Sequence, residues 1–110
     1  MVEVQDVRLD PASGQVWRGG VEIRLSRMEF RLLQHLMAHA GEIVSKDELM
    51  RSVWNTTFYT SWKTVDVHLG WLRRKLGDDP TSPSLISTVR GAGLRFETGA
   101  PDALARQSHR

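Results

Sequence analysis

Cysteine is absent from the chain, which excludes disulfides and thiolate metal sites and fits a reducing compartment. Long apolar runs are absent too: none approaches the roughly 18 residues of a membrane span. The N-terminus lacks the charged-then-apolar layout of a secretory signal, so a cytoplasmic location without membrane contact is expected. Charge of one sign is scarce: 15 Lys and Arg against 13 Asp and Glu leave a net charge of +2. Global charge therefore does not announce a nucleic-acid binder, and any such role depends on where the cations sit. Internal repeats and any sign of a phosphate-cradling loop, a nucleophile with its base or a carboxylate pair in a cleft are likewise missing. Neither an enzyme nor a cofactor is expected. What remains is an ordinary globular composition, 40% hydrophobic and 25% charged, in 110 residues, enough for one domain with its own core.

The first 25 residues alternate as strands do. Val7 and Leu9 share a face, Asp10 to Gly14 is turn chemistry, and Gln15 to Arg18 is extended again. Gly19-Gly20 suits a type I′ hairpin turn, in which both central residues need positive φ. Val21 to Leu25 completes an antiparallel meander, with Val21, Ile23 and Leu25 on one face, and the apolar side of that sheet needs helices to cover it. Two helices follow, each opened by a capping box and a hydrophobic staple. Ser26 with Glu29 lies between Leu25 and Phe30, and Ser45 with Glu48 lies between Val44 and Leu49. Phe30, Leu33, Met37 and Ala40 are expected to form the buried face of the first helix, ended by Gly41; Leu49, Val53 and Trp54 serve the second. Trp17, Trp54 and Trp62 are read as core or core-edge residues.

The richest stretch runs from Ser61 to Phe96. Val65, Leu69, Leu72 and Leu76 recur at i, i+4, i+7 and i+11, one narrow stripe of a helix from about Trp62 to Leu76 that Gly77 ends. The opposite side carries Lys63, Val67, Gly70, Trp71 and Arg74. Asp66 and Arg73 lie on one flank, Thr64 and Lys75 on the other. A helix that buries one face and shows cations, a small residue and an aromatic on the other is shaped to enter a DNA major groove. Lys63, Arg73, Arg74 and Lys75 would neutralise phosphates or reach guanine edges; Thr64 and His68 would hydrogen-bond backbone oxygens. Asp66 would accept from a cytosine amine, and Val67 would pack on a thymine methyl. Gly70 would allow close approach, and Trp71 would contact sugars and methyls. A hairpin follows, with strands Leu85 to Val89 and Leu94 to Glu97 and a corner Arg90-Gly91-Ala92-Gly93. Residues 1–98 are read as the domain and 99–110 as a disordered tail.

The order meander, three helices, hairpin resembles the winged helix-turn-helix effector domain of the OmpR/PhoB class of bacterial response regulators. The likeness rests on Ser45-Lys46-Asp47-Glu48-Leu49-Met50-Arg51-Ser52-Val53-Trp54, on Thr64-Val65-Asp66-Val67-His68-Leu69 with Leu72-Arg73-Arg74-Lys75-Leu76-Gly77, and on Thr88-Val89-Arg90-Gly91-Ala92-Gly93. It implies an α+β winged helix with an N-terminal antiparallel meander, a three-helix core and a C-terminal β-hairpin wing. Sequence-specific binding of double-stranded DNA and transcription regulation in a two-component system follow from it. So does minor-groove insertion of Arg90, with Thr88 and Gly91 beside it. Two copies would bind head-to-tail on direct repeats, each a monomer in isolation. The turn Asn55-Thr56-Thr57-Phe58-Tyr59 would face RNA polymerase. Three features depart from the family pattern. Gly70 and Trp71 stand where basic residues are common, Leu94 stands where an aromatic is common, and no receiver domain precedes the module. The last suggests a detached output half or a stand-alone relative.

The rival from another class is a protein-interaction winged helix without DNA affinity, anchored by Trp71 and Tyr59. His35 and His39 stand at the i, i+4 spacing of a metal pair, but no third ligand is evident between or beside them, and no metal site is expected.

Overall fold

The computed structural model describes residues 1–54, 62–79 and 84–99. Strands β1 (Val2–Val4), β2 (Val7–Asp10), β3 (Gln15–Arg18) and β4 (Val21–Ile23) pair antiparallel in chain order. The register aligns Val2 with Leu9, Leu9 with Val16, and Val16 with Ile23, so one apolar row crosses the sheet. Gly19 and Gly20 turn between β3 and β4 at φ of 58° and 84°, the positive values that a type I′ turn needs. Two expectations change here. β1 adds a strand that three residues are too few to announce by alternation. The last strand is shorter than expected: it ends at Ile23 and leaves Leu25 outside it, while Val21, on the same face as Ile23, stands 68% exposed.

Helices α1 (Arg27–Ala38), α2 (Lys46–Ser52) and α3 (Trp62–Leu76) supply the middle of the domain. At the start of α1, the Glu29 amide donates to Ser26 Oγ at 3.2 Å and the Ser26 amide donates to Glu29 Oε1 at 2.8 Å, so the capping box closes in both directions. At α2 only half of it forms. The Glu48 amide donates to Ser45 Oγ at 3.1 Å, while the Glu48 carboxylate turns to His35 instead. The buried face of α1 is Leu32, Leu33, Leu36 and Met37; Phe30 and Ala40 are only partly buried. That wider face arises because α1 packs on α3, β1 and β7 at once, where a single-sided stripe was expected.

A second sheet joins β5 (Ile43–Ser45), β6 (Ile86–Val89) and β7 (Gly93–Phe96) in the order β5-β7-β6, all antiparallel. β5 was not foreseen, and it explains Gly93. This residue faces Ser45 across the ladder, and a Cβ there would come within 2.0 Å of the Val44 carbonyl oxygen. The two sheets and three helices close on one core that includes Leu9, Leu33, Leu49, Leu69, Leu85 and Phe96. Polar clasps tie its ends together. Gln5 Nε2 donates to the Ser84 and Glu97 carbonyls, each at 2.8 Å. The Arg18 guanidinium donates to Asp6 Oδ1 at 2.8 Å and to the Leu76 carbonyl, capping the end of α3 from the first sheet.

Candidate nucleic-acid interface

Burial fixes which way α3 faces. Val65, Leu69, Leu72 and Leu76 are each at most 2% exposed, so the stripe read from spacing is the one the core holds. Lys63, Asp66, Val67, Gly70, Trp71 and Arg74 then stand exposed on the outer side. Val67 and Trp71 remain 43% and 44% exposed, and they sit among cations on the outer side of the helix. Among the described residues, a Cβ at Gly70 would meet nothing within 4 Å, so none of them requires glycine there.

His68 is half-buried rather than fully presented. Its Nδ1 lies 2.9 Å from the Thr64 carbonyl oxygen, and its ring meets Trp54 and Trp71 edge-on, at centroid distances of 5.3 and 5.0 Å. The imidazole thereby props the exposed indole of Trp71 in place. Thr64 is also half-buried.

Two of the cations expected on DNA are engaged inside the fold. Arg73 reaches across to the wing, where Nη2 donates to the Ile86 carbonyl at 2.7 Å and to Thr88 Oγ1 at 3.2 Å. Burial pushes the Arg73 guanidinium below its ordinary value, against the opposing pull of Asp78 and Asp66. Lys75 donates from Nζ to Glu29 Oε1 at 2.7 Å, and that carboxylate is buried. Burial alone would raise the Glu29 carboxyl, but Lys75 and the Ser26 amide outweigh it and hold it below the ordinary value. The cationic run 73–75 therefore divides: Arg74 faces outward, Arg73 fastens the helix to the wing, and Lys75 fastens it to α1.

Asp78 is the buried fastener at the base of the wing. Its Oδ1 accepts from the Ser84 and Leu85 amides at 2.9 and 3.1 Å, and its Oδ2 accepts from the Ile86 amide at 3.0 Å. Arg73 and Asp78 thus fix β6 to the C-terminal end of α3. At the far end of the wing, Arg90 and Gly91 are exposed in the turn between β6 and β7, Gly91 at φ 76°, and Thr88 is exposed on β6. Residues 55–59, expected to face RNA polymerase, lie outside the described residues, as do residues 100–110 of the expected tail.

A core of three helices with one face of the third turned outward, followed by a hairpin, is the geometry that the sequence pattern pointed to. Residues 20–96 match the family described as "Transcriptional regulatory protein, C terminal". The chain belongs to this family, the DNA-binding domains of OmpR/PhoB-type regulators. This effector domain is 43% identical over 94 residues to a probable transcriptional regulatory protein of Picosynechococcus, an alignment covering 86% of this chain and 38% of that one. It is 42% identical over 93 residues to the phosphate regulon regulator PhoB of Rhizobium meliloti, covering 84% of this chain and 40% of that one. It thus spans about two-fifths of these relatives. Among solved structures, the Klebsiella pneumoniae RstA DNA-binding domain in complex with the RstA box superposes with a TM-score of 0.82 at 35% identity. That match covers 88% of this chain and 96% of the other. The DNA-binding domain of CpxR from E. coli superposes with a TM-score of 0.78 at 30% identity, covering 90% and 97%. Among the described residues, no helix of the effector domain is long and apolar enough to cross a membrane.

One absence expected from sequence needs correction. His35 and His39 do have a third donor beside them: Glu48 Oε2 lies 2.7 Å from His35 Nε2 and 3.8 Å from His39 Nε2. The carboxylate comes from α2, so linear spacing could not reveal it.

Proposed function

We propose that this effector domain binds specific duplex DNA with the outer face of α3 in the major groove and the Arg90 turn in the adjacent minor groove. The observation that carries this reading is the pair of clamps, Arg73 on Ile86 and Thr88, and Asp78 on Leu85 and Ile86. They make α3 and the wing one rigid unit, so the two elements engage without first being ordered. Lys63, Arg74 and Arg90 supply exposed positive charge; Asp66, Val67 and Trp71 supply the groups able to discriminate base edges. Wing insertion would favour a narrow, A·T-rich minor groove, where the negative potential is deepest. The RstA domain, solved on its own box, supports the reading through its likeness to this chain.

By the family resemblance, two copies lie head-to-tail on direct repeats, the isolated domain is monomeric, and the protein acts in the cytoplasm on transcription. The 55–59 segment as a contact for RNA polymerase rests on that resemblance alone. Exposed Val67 and Trp71 favour one second reading, a protein-docking face without DNA affinity. Selection from a random duplex library separates the two. Enrichment of a direct repeat spaced about one helical turn apart is expected. A pool that enriches nothing, from a domain that ignores duplex DNA at low salt, would favour the docking reading.

A further inference from the structure

His35, His39 and Glu48 converge outside α3 and the wing. The two histidines stand one helical turn apart, His35 in the last turn of α1 and His39 at its C-cap. Their rings lie stacked, centroids 4.6 Å apart and planes 19° apart, so their edges present nitrogens side by side. Glu48 in the first turn of α2 closes the group, and one donor atom from each residue lies within 4.8 Å of the others. The three side chains are 20%, 35% and 38% exposed, partly desolvated yet open to an ion from solvent.

A second observation concerns His39 itself. Its Nδ1 is buried with no hydrogen-bond partner among the described residues. With Nε2 turned to Glu48, the buried Nδ1 lacks the partner that a metal-bound imidazole ordinarily has, a cost that the bound ion must outweigh. Glu48 is also diverted: its carboxylate leaves the capping box of α2 open in order to face the imidazoles.

We propose that His35, His39 and Glu48 bind a divalent transition-metal ion of the zinc type, with water completing a four-coordinate shell. Two imidazoles and one carboxylate are a donor set that suits zinc, whereas calcium and magnesium require more oxygens than this cluster offers. Zinc bonds of about 2.0–2.1 Å put neighbouring donors about 3.3–3.5 Å apart in a tetrahedron. Glu48 must draw back slightly from His35, and the widest pair must close, by side-chain rotation at partly exposed positions. The ion would join the end of α1 to the start of α2, the two helices against which α3 packs, and would steady the domain without touching its DNA-facing side.

The test is thermal unfolding and calorimetric titration of the metal-stripped chain with zinc chloride, with Co²⁺ as a spectroscopic substitute. One ion per chain is expected, and a rise in Tm of about 10 °C when zinc exceeds its Kd about a hundredfold. Co²⁺ should give the visible absorption of a tetrahedral site. His39→Ala preserves the His35–Glu48 hydrogen bond, so it should fold as the parent does and lose both signals. Glu48→Gln, checked by circular dichroism, should lose the Co²⁺ band, whereas His109→Ala should keep it. A parent without a Co²⁺ band or zinc shift, or a His39→Ala chain that binds as tightly as the parent, would overturn the site and leave His35–Glu48 as a hydrogen bond alone.

Discussion

Single side chains decide whether the wing stays attached. Asp78 satisfies the Ser84, Leu85 and Ile86 amides with one carboxylate, and two of those amides belong to fully buried residues. Asp78→Ala leaves those donors unpaired and should cost about 3–4 kcal/mol, a large part of a small domain's stability. Asp78→Asn keeps one carbonyl oxygen and should cost about half as much; urea unfolding curves of the three proteins give the comparison. Equal midpoints would show that these amides find other partners. Glu29 provides a test in pH. Its carboxyl is held low in the folded state, so its contribution is present above the unfolded value of about 4.3 and is lost as pH falls through the folded one. Lys75→Met removes the ammonium while Glu29 stays buried. It should cost about 1–2 kcal/mol at pH 7, tempered by the 41% exposure of Lys75, and less near pH 3.5, where Glu29 can take up a proton. A penalty that grows on acidification would contradict this pairing. Neither Asp78 nor the Glu29–Lys75 pair was legible in sequence as a fastener, because each depends on a partner brought close only by the fold.

Elements differ in how much of themselves they advertise. α3 was legible to the residue, since fifteen residues with four apolar positions on one stripe admit a single buried face. Both serine caps were legible because capping is local chemistry, whereas the closing half at Glu48 was not, because a tertiary partner competes for the carboxylate. β1 and β5 were missed for the opposite reason: three residues make too short an alternation, and their pairing is what makes them strands. Within α3 the informative position is Gly70, where the helix would be better off with alanine and no neighbour among the described residues stands in the way. Gly70→Ala should therefore stabilise the domain by up to about 1 kcal/mol. If the bare backbone lies against the groove, the same change should weaken DNA binding about tenfold, equivalent to about 1.4 kcal/mol. Opposite signs in unfolding and binding measurements identify a glycine kept for its ligand; unchanged affinity would take Gly70 out of the interface.

On the scale of the whole molecule, a net charge of +2 leaves little long-range attraction for DNA, and the contribution of each cation depends on what else it holds. The sequence shows a cationic helix end at residues 73–75, but two of its three charges already serve β6 and Glu29. That division is a property of the assembled fold, and it changes how binding should respond to salt. With Lys63, Arg74 and Arg90 neutralising three phosphates, log K for one copy should fall with log salt at a slope of about −2.7. Were Arg73 and Lys75 also on phosphates, the slope would steepen to about −4.5. Titrations of one half-site from low to moderate salt distinguish the two values. The steeper slope would mean that docking pulls Arg73 off Ile86 and Thr88, so that the wing is released on DNA rather than presented to it. The shallower one would mean that the domain meets DNA as the rigid body its clamps make it.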